Sequence, residues 1–478
     1  MAGGGGRHYH LLGIGGTAMG SLAGLLAAAG HRVTGSDEGV YPPMSTLLAQ
    51  LGIDYAEGYR PENLTPRPDV VVVGNAISRG NPELEHLLNE KIPYTSAAAT
   101  IRDEFIRGRT SVAVAGTHGK TSTTSLLAWT LDVAGFNPSF LIGGVAENFG
   151  TSFRLTDSPY FVIEADEYDT AYFDKGPKMW HYLPDVAVVN NIEFDHADIY
   201  RDEQAYRFAF ARFINLIPSR GTLVAGWDSP QVRALAAASF APVESFGYAP
   251  DDADAPPPRW TARDVTFGET TSFTVVHEGA VWGRIETPLA GAFSVRNCLA
   301  VIAAAHALGA EPGRVRDALR TYRSVRRRME VRGVIGGVAV IDDFAHHPTA
   351  VRETIAAARQ KYPGRRIVAI FEPRSYTAQR REFEAQYAAA FEGADEIILA
   401  GLFHPERYDA ATALDPERLV AGWRATGRRA HYIPVVDDIV ARCAAAADPG
   451  DIILIMSNGG FGGIHEKLIA ALERRTTE

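Results

Sequence analysis

Short apolar runs rich in valine and isoleucine, each ending in glycine or a polar cluster, alternate along the chain with alanine-rich helical stretches. Runs that are apolar at every position mark strands buried on both faces of a parallel sheet. Residues 8–12, 30–37, 70–73 and 92–95 are expected strands, with a small-residue helix through Ala29 after the first. Residues 112–115 and 160–164 follow, then a run from Asp185 that delivers Asn190 and Asn191. Residues 272–277 and 280–287 alternate in polarity around Glu278-Gly279, which predicts a β-hairpin and a small antiparallel sheet beside the main one. Helices are expected after Gly291 and over 314–322. The last third alternates strands at 338–341, 367–371, 396–399 and 452–456 with helices from Thr349, Thr377 and Gly463. Residues 249–259, with three consecutive prolines, read as a loop, and Ser324-Val-Arg-Arg-Arg-Met-Glu330 as a solvated linker.

The strand at 112–115 runs into Gly116-Thr-His-Gly-Lys-Thr-Ser122, and a helix opens at Thr121. Strand, glycine turn and helix N-terminus form a phosphate loop: freed backbone amides attract phosphate oxygens, Lys120 reaches the terminal phosphates, and the Thr121 hydroxyl suits Mg²⁺. The loop is short, because Val114 stands where the usual pattern has its first glycine. Lysine occurs at only six positions in an arginine-rich chain, which adds weight to Lys120. The reading is ATP. Glu164, at the end of its strand, can hold Mg²⁺ beside the phosphates, with Asp166 and Glu167 as adjacent competitors. His196 is either a further ligand or a structural histidine.

A second glycine motif, Gly13-Ile-Gly-Gly-Thr-Ala-Met-Gly20, follows the first strand. It fits NAD, FAD or a nucleotide sugar, or serves only to pack helix on strand. Asp37 either bonds a ribose hydroxyl or caps the next turn. The expected fold is therefore α/β in three domains: 1–107 Rossmann-like, 108–326 P-loop ATPase-like with the small antiparallel sheet, and 327–478 Rossmann-like.

A net charge of -10 over 478 residues argues against a nucleic-acid partner. Cys298 and Cys443, far apart in alanine-rich helices, read as buried free thiols. The absence of a membrane-length apolar run or a signal-like N-terminus leads to a cytoplasmic expectation, with the glycine run before Arg7 as a disordered tail.

Three such domains in this order, carrying Gly-Thr-His-Gly-Lys-Thr, Glu-Ala-Asp-Glu, Asn-Ile-Glu-Phe-Asp-His and Asp-Asp-Phe-Ala-His-His-Pro, resemble the Mur ligases of bacterial cell-wall synthesis over nearly the whole chain. The resemblance implies an ATP- and Mg²⁺-dependent ligase. The carboxylate of UDP-N-acetylmuramate would attack the ATP γ-phosphate, and the amine of the murein tripeptide L-Ala-γ-D-Glu-meso-diaminopimelate would displace phosphate from the acyl phosphate. UDP-N-acetylmuramate:L-alanine ligation is the runner-up, ahead of an oxidoreductase or a P-loop kinase. By the same likeness Lys120, Glu164 and His196 are catalytic, with Thr121, Glu164 and His196 on Mg²⁺. Gly116, Thr117, His118, Gly119, Lys120, Thr121, Ser122, Asn297, Arg328 and Asp343 face ATP, and Gly15, Gly16, Thr17, Ser36, Asp37 and Asn75 hold the UDP-sugar. Phe344, His346 and Arg374 face the acceptor peptide.

The chain departs from its relatives at Ser294, where several carry asparagine near the adenine, and at Pro373-Arg374-Ser375, where the L-alanine-adding relative has Pro-His-Arg. It has no lysine between Lys178 and Lys361, which excludes the carbamylated lysine some relatives use as an Mg²⁺ ligand.

Overall fold

A computed structural model describes residues 6–41, 44–248, 256–404, 406, 409 and 412–477. Most of the expected glycine tail and of the loop at 249–259 lies outside these residues. Among the described residues three large sheets follow one another along the chain, with a separate two-stranded sheet of Asp169–Ala171 and Asp174–Pro177. The first has the order Asp54–Glu57, Arg32–Asp37, His8–Leu12, Val70–Val73, Tyr94–Ser96, all parallel. Its strand order reverses beside His8–Leu12, and at that switch point the loop after His8–Leu12 faces the loop after Val70–Val73.

The second sheet has ten strands, with Thr110–Ala115 near its middle between Val186–Val189 and Tyr160–Glu164. Every residue of Val112 to Ala115 is buried, as a strand covered on both faces by helices requires. The helices Lys120–Val133 and Ala292–Ala307 pack together on one face, around Leu126, Leu127, Val295 and Leu299. The hairpin Thr271–His277 and Ala280–Thr287 is antiparallel. It is continuous with the large sheet, joined through Trp260–Thr266, which pairs parallel with Val243–Gly247.

The third sheet has the order Glu330–Ile335, Val338–Asp343, Ile452–Met456, Ile367–Phe371, Glu396–Leu399, Arg429–Tyr432. Ile452–Met456 therefore separates the two strand ends that carry Asp343 and Arg374. The helix expected from Thr377 begins only at Glu384, after two short 3₁₀ turns, because Arg380 is extended (φ -99°, ψ 137°).

The charge run at 324–330 is a structured hinge. Val325 is 2% exposed and bridges Ala146 of the central sheet, and Arg326 pairs with Glu147 at 2.6 Å. Arg327 then crosses to the third domain, with Nη2 donating to the carbonyls of Ser457 (2.7 Å) and Gly459 (2.8 Å). Arginines in this run are spent on carbonyls and carboxylates at a domain boundary, which is why local charge alone misreads it. Among the described residues no helix is long and apolar enough to cross a membrane, and both cysteines are buried and free.

Candidate active site

The phosphate loop leaves the carboxyl end of Thr110–Ala115 and is shaped by its neighbour on one side. Gly116 (φ +136°) lies so close to the next strand end that a Cβ would stand 3.0 Å from Asn190 Cβ. Gly119 (φ +80°) precedes the helix, and a Cβ there would meet Asn297 Oδ1 at 3.0 Å. Asn191 occupies two loop amides, its carbonyl accepting from Thr117 N at 3.1 Å and its Oδ1 from His118 N at 2.8 Å. Thr117, expected to face nucleotide, has its hydroxyl donating to Glu193 O at 2.9 Å and braces the loop from beneath. The amides of Lys120, Thr121 and Ser122 precede the first helical bond, from Thr123 N to Gly119 O, and are the ones open to phosphate.

A cavity of about 580 Å³ opens beside the loop, lined by His118, Gly119, Ser122, Asn297, Arg328 and Asp343 among others. Ser294 lines it too, but its hydroxyl is spent on Ala290 O at 2.6 Å. Asp343 is buried. It accepts from Met329 N and Ala345 N, each at 2.8 Å, so it fixes the hinge and the turn beneath the cavity.

On the other side of the loop the strand Tyr160–Glu164 delivers the acids. Glu164 accepts from the Thr121 hydroxyl at 2.9 Å and from Gly143 N at 2.8 Å. Burial raises its pKa, against the opposing pull of Lys120. A half-buried carboxylate beside a hydroxyl offers two hard oxygens, the donor chemistry of Mg²⁺. The structure pairs His196, however, with Glu167: Nε2 lies 2.9 Å from Oε1. Thr121 and Glu164 fit Mg²⁺, and His196, expected beside them, has its Nε2 on Glu167 in this structure.

Glu167 is the residue that the sequence reading left as a competitor. It is fully buried, accepts from Lys120 Nζ at 2.8 Å, and its carbonyl accepts from Tyr200 OH at 2.6 Å. Burial opposes its ionisation, yet Lys120 and His196 outweigh that and hold its carboxyl below the ordinary range. Lys120 is raised in turn: burial works against the ammonium, and Glu167 and Asp166 overcome it. The lysine stays charged at a largely buried position, where charge acts more strongly than in water.

In the first domain Gly15 N donates to Asp37 Oδ2 at 2.8 Å, so Asp37 caps the glycine loop. Gly16 and Thr17 are exposed at the helix start, and Asn75 is half-buried across the switch point. Ser36, expected at the UDP-sugar, is fully buried, and its hydroxyl donates to the buried Glu83 at 3.1 Å, beneath the loop.

The third domain closes over the loop. Arg328 Nη2 lies 3.5 Å from Thr121 Oγ1, and the Arg327 and Arg328 guanidiniums each lie 5.1 Å from the Phe344 ring centroid. Thr377 Oγ1 donates to Asp195 at 2.6 Å, tying this domain to the segment that carries His196. His346 Nδ1 is 3.0 Å from Phe344 O. Arg374 stacks on Phe403, 3.6 Å from its ring centroid, and lies over Gly459, where a Cβ would collide with the guanidinium.

Three family models cover the chain in order: the Mur ligase family catalytic domain over 8–105, the Mur ligase middle domain over 114–305, and the Mur ligase glutamate ligase domain over 327–459. The chain is 41% identical to the UDP-N-acetylmuramate--L-alanyl-gamma-D-glutamyl-meso-2,6-diaminoheptandioate ligase of Escherichia coli, over 98% of both chains. It is 34% identical to the UDP-N-acetylmuramate--L-alanine ligase of Salinibacter ruber, over 98% of this chain and 95% of that one. The crystal structure of a murein peptide ligase from Psychrobacter arcticus superposes with a TM-score of 0.71 at 36% identity, covering 98% of this chain and 99% of that one. A phosphate loop whose lysine pairs with the buried Glu167 beneath the third domain, with these likenesses along the full length, makes the chain a member of the Mur ligase family, an ATP-dependent peptide ligase.

Proposed function

We propose that this ligase joins the lactyl carboxylate of UDP-N-acetylmuramate to the amine of L-Ala-γ-D-Glu-meso-diaminopimelate, in the recycling of cell-wall peptide. The observation that carries the reading is the Lys120–Glu167 pair at 2.8 Å, a charged lysine fixed at the mouth of a phosphate loop, in a chain 41% identical to a ligase named for these substrates. Phosphoryl transfer asks the protein for position and charge more than for covalent help. The UDP-sugar would lie on Gly15, Gly16, Thr17 and Asn75, with Asp37 holding the loop's shape. ATP would lie in the cavity between Asn297, Arg328 and Asp343, its phosphates on the amides of Lys120 to Ser122.

The substrate carboxylate attacks the γ-phosphorus, the bond to the β-phosphate oxygen breaks, and ADP leaves. The peptide amine then adds to the acyl carbon and phosphate departs. Lys120 neutralises charge on the transferred group, and Glu167 and His196 hold Lys120 in place. Mg²⁺, held by Thr121 and Glu164, would supply further neutralisation of phosphate charge. Phe344, His346 and Arg374 would form the acceptor wall, with the Arg374 guanidinium offered to a peptide carboxylate.

With ¹⁸O in the lactyl carboxylate, one label should appear in the released phosphate for each amide formed. Lys120→Ala should abolish both products while UDP-N-acetylmuramate still binds. Unlabelled phosphate, or ADP formation that needs no amine acceptor at steady state, would remove the reading.

A further inference from the structure

The phosphate loop carries a histidine that the chemistry above does not use. His118 turns its ring toward Glu193, with Nε2 2.9 Å from Oε2. The other oxygen of Glu193 accepts from Thr349 Oγ1 at 2.7 Å, on the third domain. His347, the N-cap of the helix Pro348–Lys361, places Nδ1 3.9 Å from the same Glu193 Oε2. The two imidazole centroids are 4.8 Å apart. One donor atom from each of the three residues lies within 4.8 Å of the other two. His347 is 2% exposed, and its Nε2 is buried without a hydrogen-bond partner.

We propose that His118, Glu193 and His347 form a binding site for one transition-metal ion of the Zn²⁺ class, which fastens the phosphate loop to the third domain. Two imidazoles and one carboxylate are a donor set for Zn²⁺ or Co²⁺ and a poor one for Mg²⁺, which prefers oxygen. Tetrahedral Zn²⁺ with bonds of about 2.0–2.1 Å holds its ligands roughly 3.3 Å apart. Burial of His347 disfavours its protonated form, the direction that metal ligation requires. His118 and Glu193 also line the nucleotide cavity, which leaves a fourth position open to water or an exchangeable ligand. Because the ligands come from two domains, an ion bound here stabilises the docked arrangement by linkage.

The test uses the full-length, tag-free chain, stripped of metal, with Mg²⁺ in millimolar excess and no nucleotide, titrated with Co²⁺. One equivalent should bind with the intense visible bands of a four-coordinate site, and Zn²⁺ should displace it. His347→Gln and Glu193→Gln should each weaken binding at least about tenfold, or 1.4 kcal/mol. Thr349→Ala, which keeps all three donors, should stay within about threefold of wild type. Should near-UV circular dichroism show that His347→Gln is unfolded, His118→Asn carries the same comparison. Absence of stoichiometric Co²⁺, or binding lost in Glu164→Gln and unchanged in His347→Gln and His118→Asn, would overturn the proposal.

Discussion

Lys120 Nζ lies 2.8 Å from the carboxylate of Glu167, which has no exposed surface. Removing one member of a buried ion pair leaves the other charge unpaired, at about 3–5 kcal/mol. Glu167→Gln should therefore lower the unfolding midpoint and cut kcat at least about tenfold, 1.4 kcal/mol of barrier. A stable variant with wild-type kcat would show that the pair is incidental to catalysis.

The pairing of His196 with Glu167 separates the expected metal ligands into two groups. Glu164→Gln, which removes a hard oxygen beside Thr121, should raise the Mg²⁺ concentration needed for half-maximal rate. His196→Asn should lower kcat with a smaller effect on Mg²⁺ dependence, since its Nε2 serves Glu167. Mg²⁺ titrations of the two variants check this; equal shifts in both would return His196 to the metal.

Arg374 is held flat between Phe403 and Gly459, with Glu372 3.8 Å away. Arg374→Ala should raise the tripeptide KM several-fold, losing about 1–3 kcal/mol of charged hydrogen bonding, with the ATP KM nearly unchanged. Initial rates at varied peptide concentration decide it, and an unaltered peptide KM would place Arg374 outside the acceptor site.

Asp342 anchors the hinge. It is buried and meets His465 at 3.2 Å, Arg327 at 3.3 Å and Arg332 at 3.5 Å. Burial works against its charge, and these partners still hold its carboxyl below the ordinary range. A carboxyl depressed in the folded state contributes stability above its unfolded pKa of about 3.9, and that contribution is lost as pH falls through the native value. Asp342→Asn should thus cost about 1–3 kcal/mol at pH 7. The gap to wild type should shrink below about pH 4. Urea midpoints at the two pH values measure it; a gap that widens in acid would contradict the assignment.

The parallel strands were legible because Val112 to Ala115 and Ile452 to Met456 are apolar throughout, which only burial on both faces demands. Edge strands such as Asp54–Glu57 and Arg429–Tyr432 carry no such run, since little of each is covered. The motif readings located the phosphate loop and Glu164. They did not single out Glu167, because three acids crowd one strand end and only the approach of Lys120, Tyr200 and His196 from elsewhere selects among them. Ser36 and Thr117, placed at ligands by the resemblance, have their hydroxyls on Glu83 and the Glu193 carbonyl, bonds that only the folded chain reveals.

The central claim is the identity of the acceptor. ADP release from ATP and UDP-N-acetylmuramate, compared with L-Ala-γ-D-Glu-meso-diaminopimelate and with free L-alanine under the same conditions, tests it in one assay. The account predicts a kcat/KM for the tripeptide at least about a hundredfold above that for alanine, 2.7 kcal/mol of discrimination. A preference for free L-alanine would contradict it and make the chain an alanine-adding ligase.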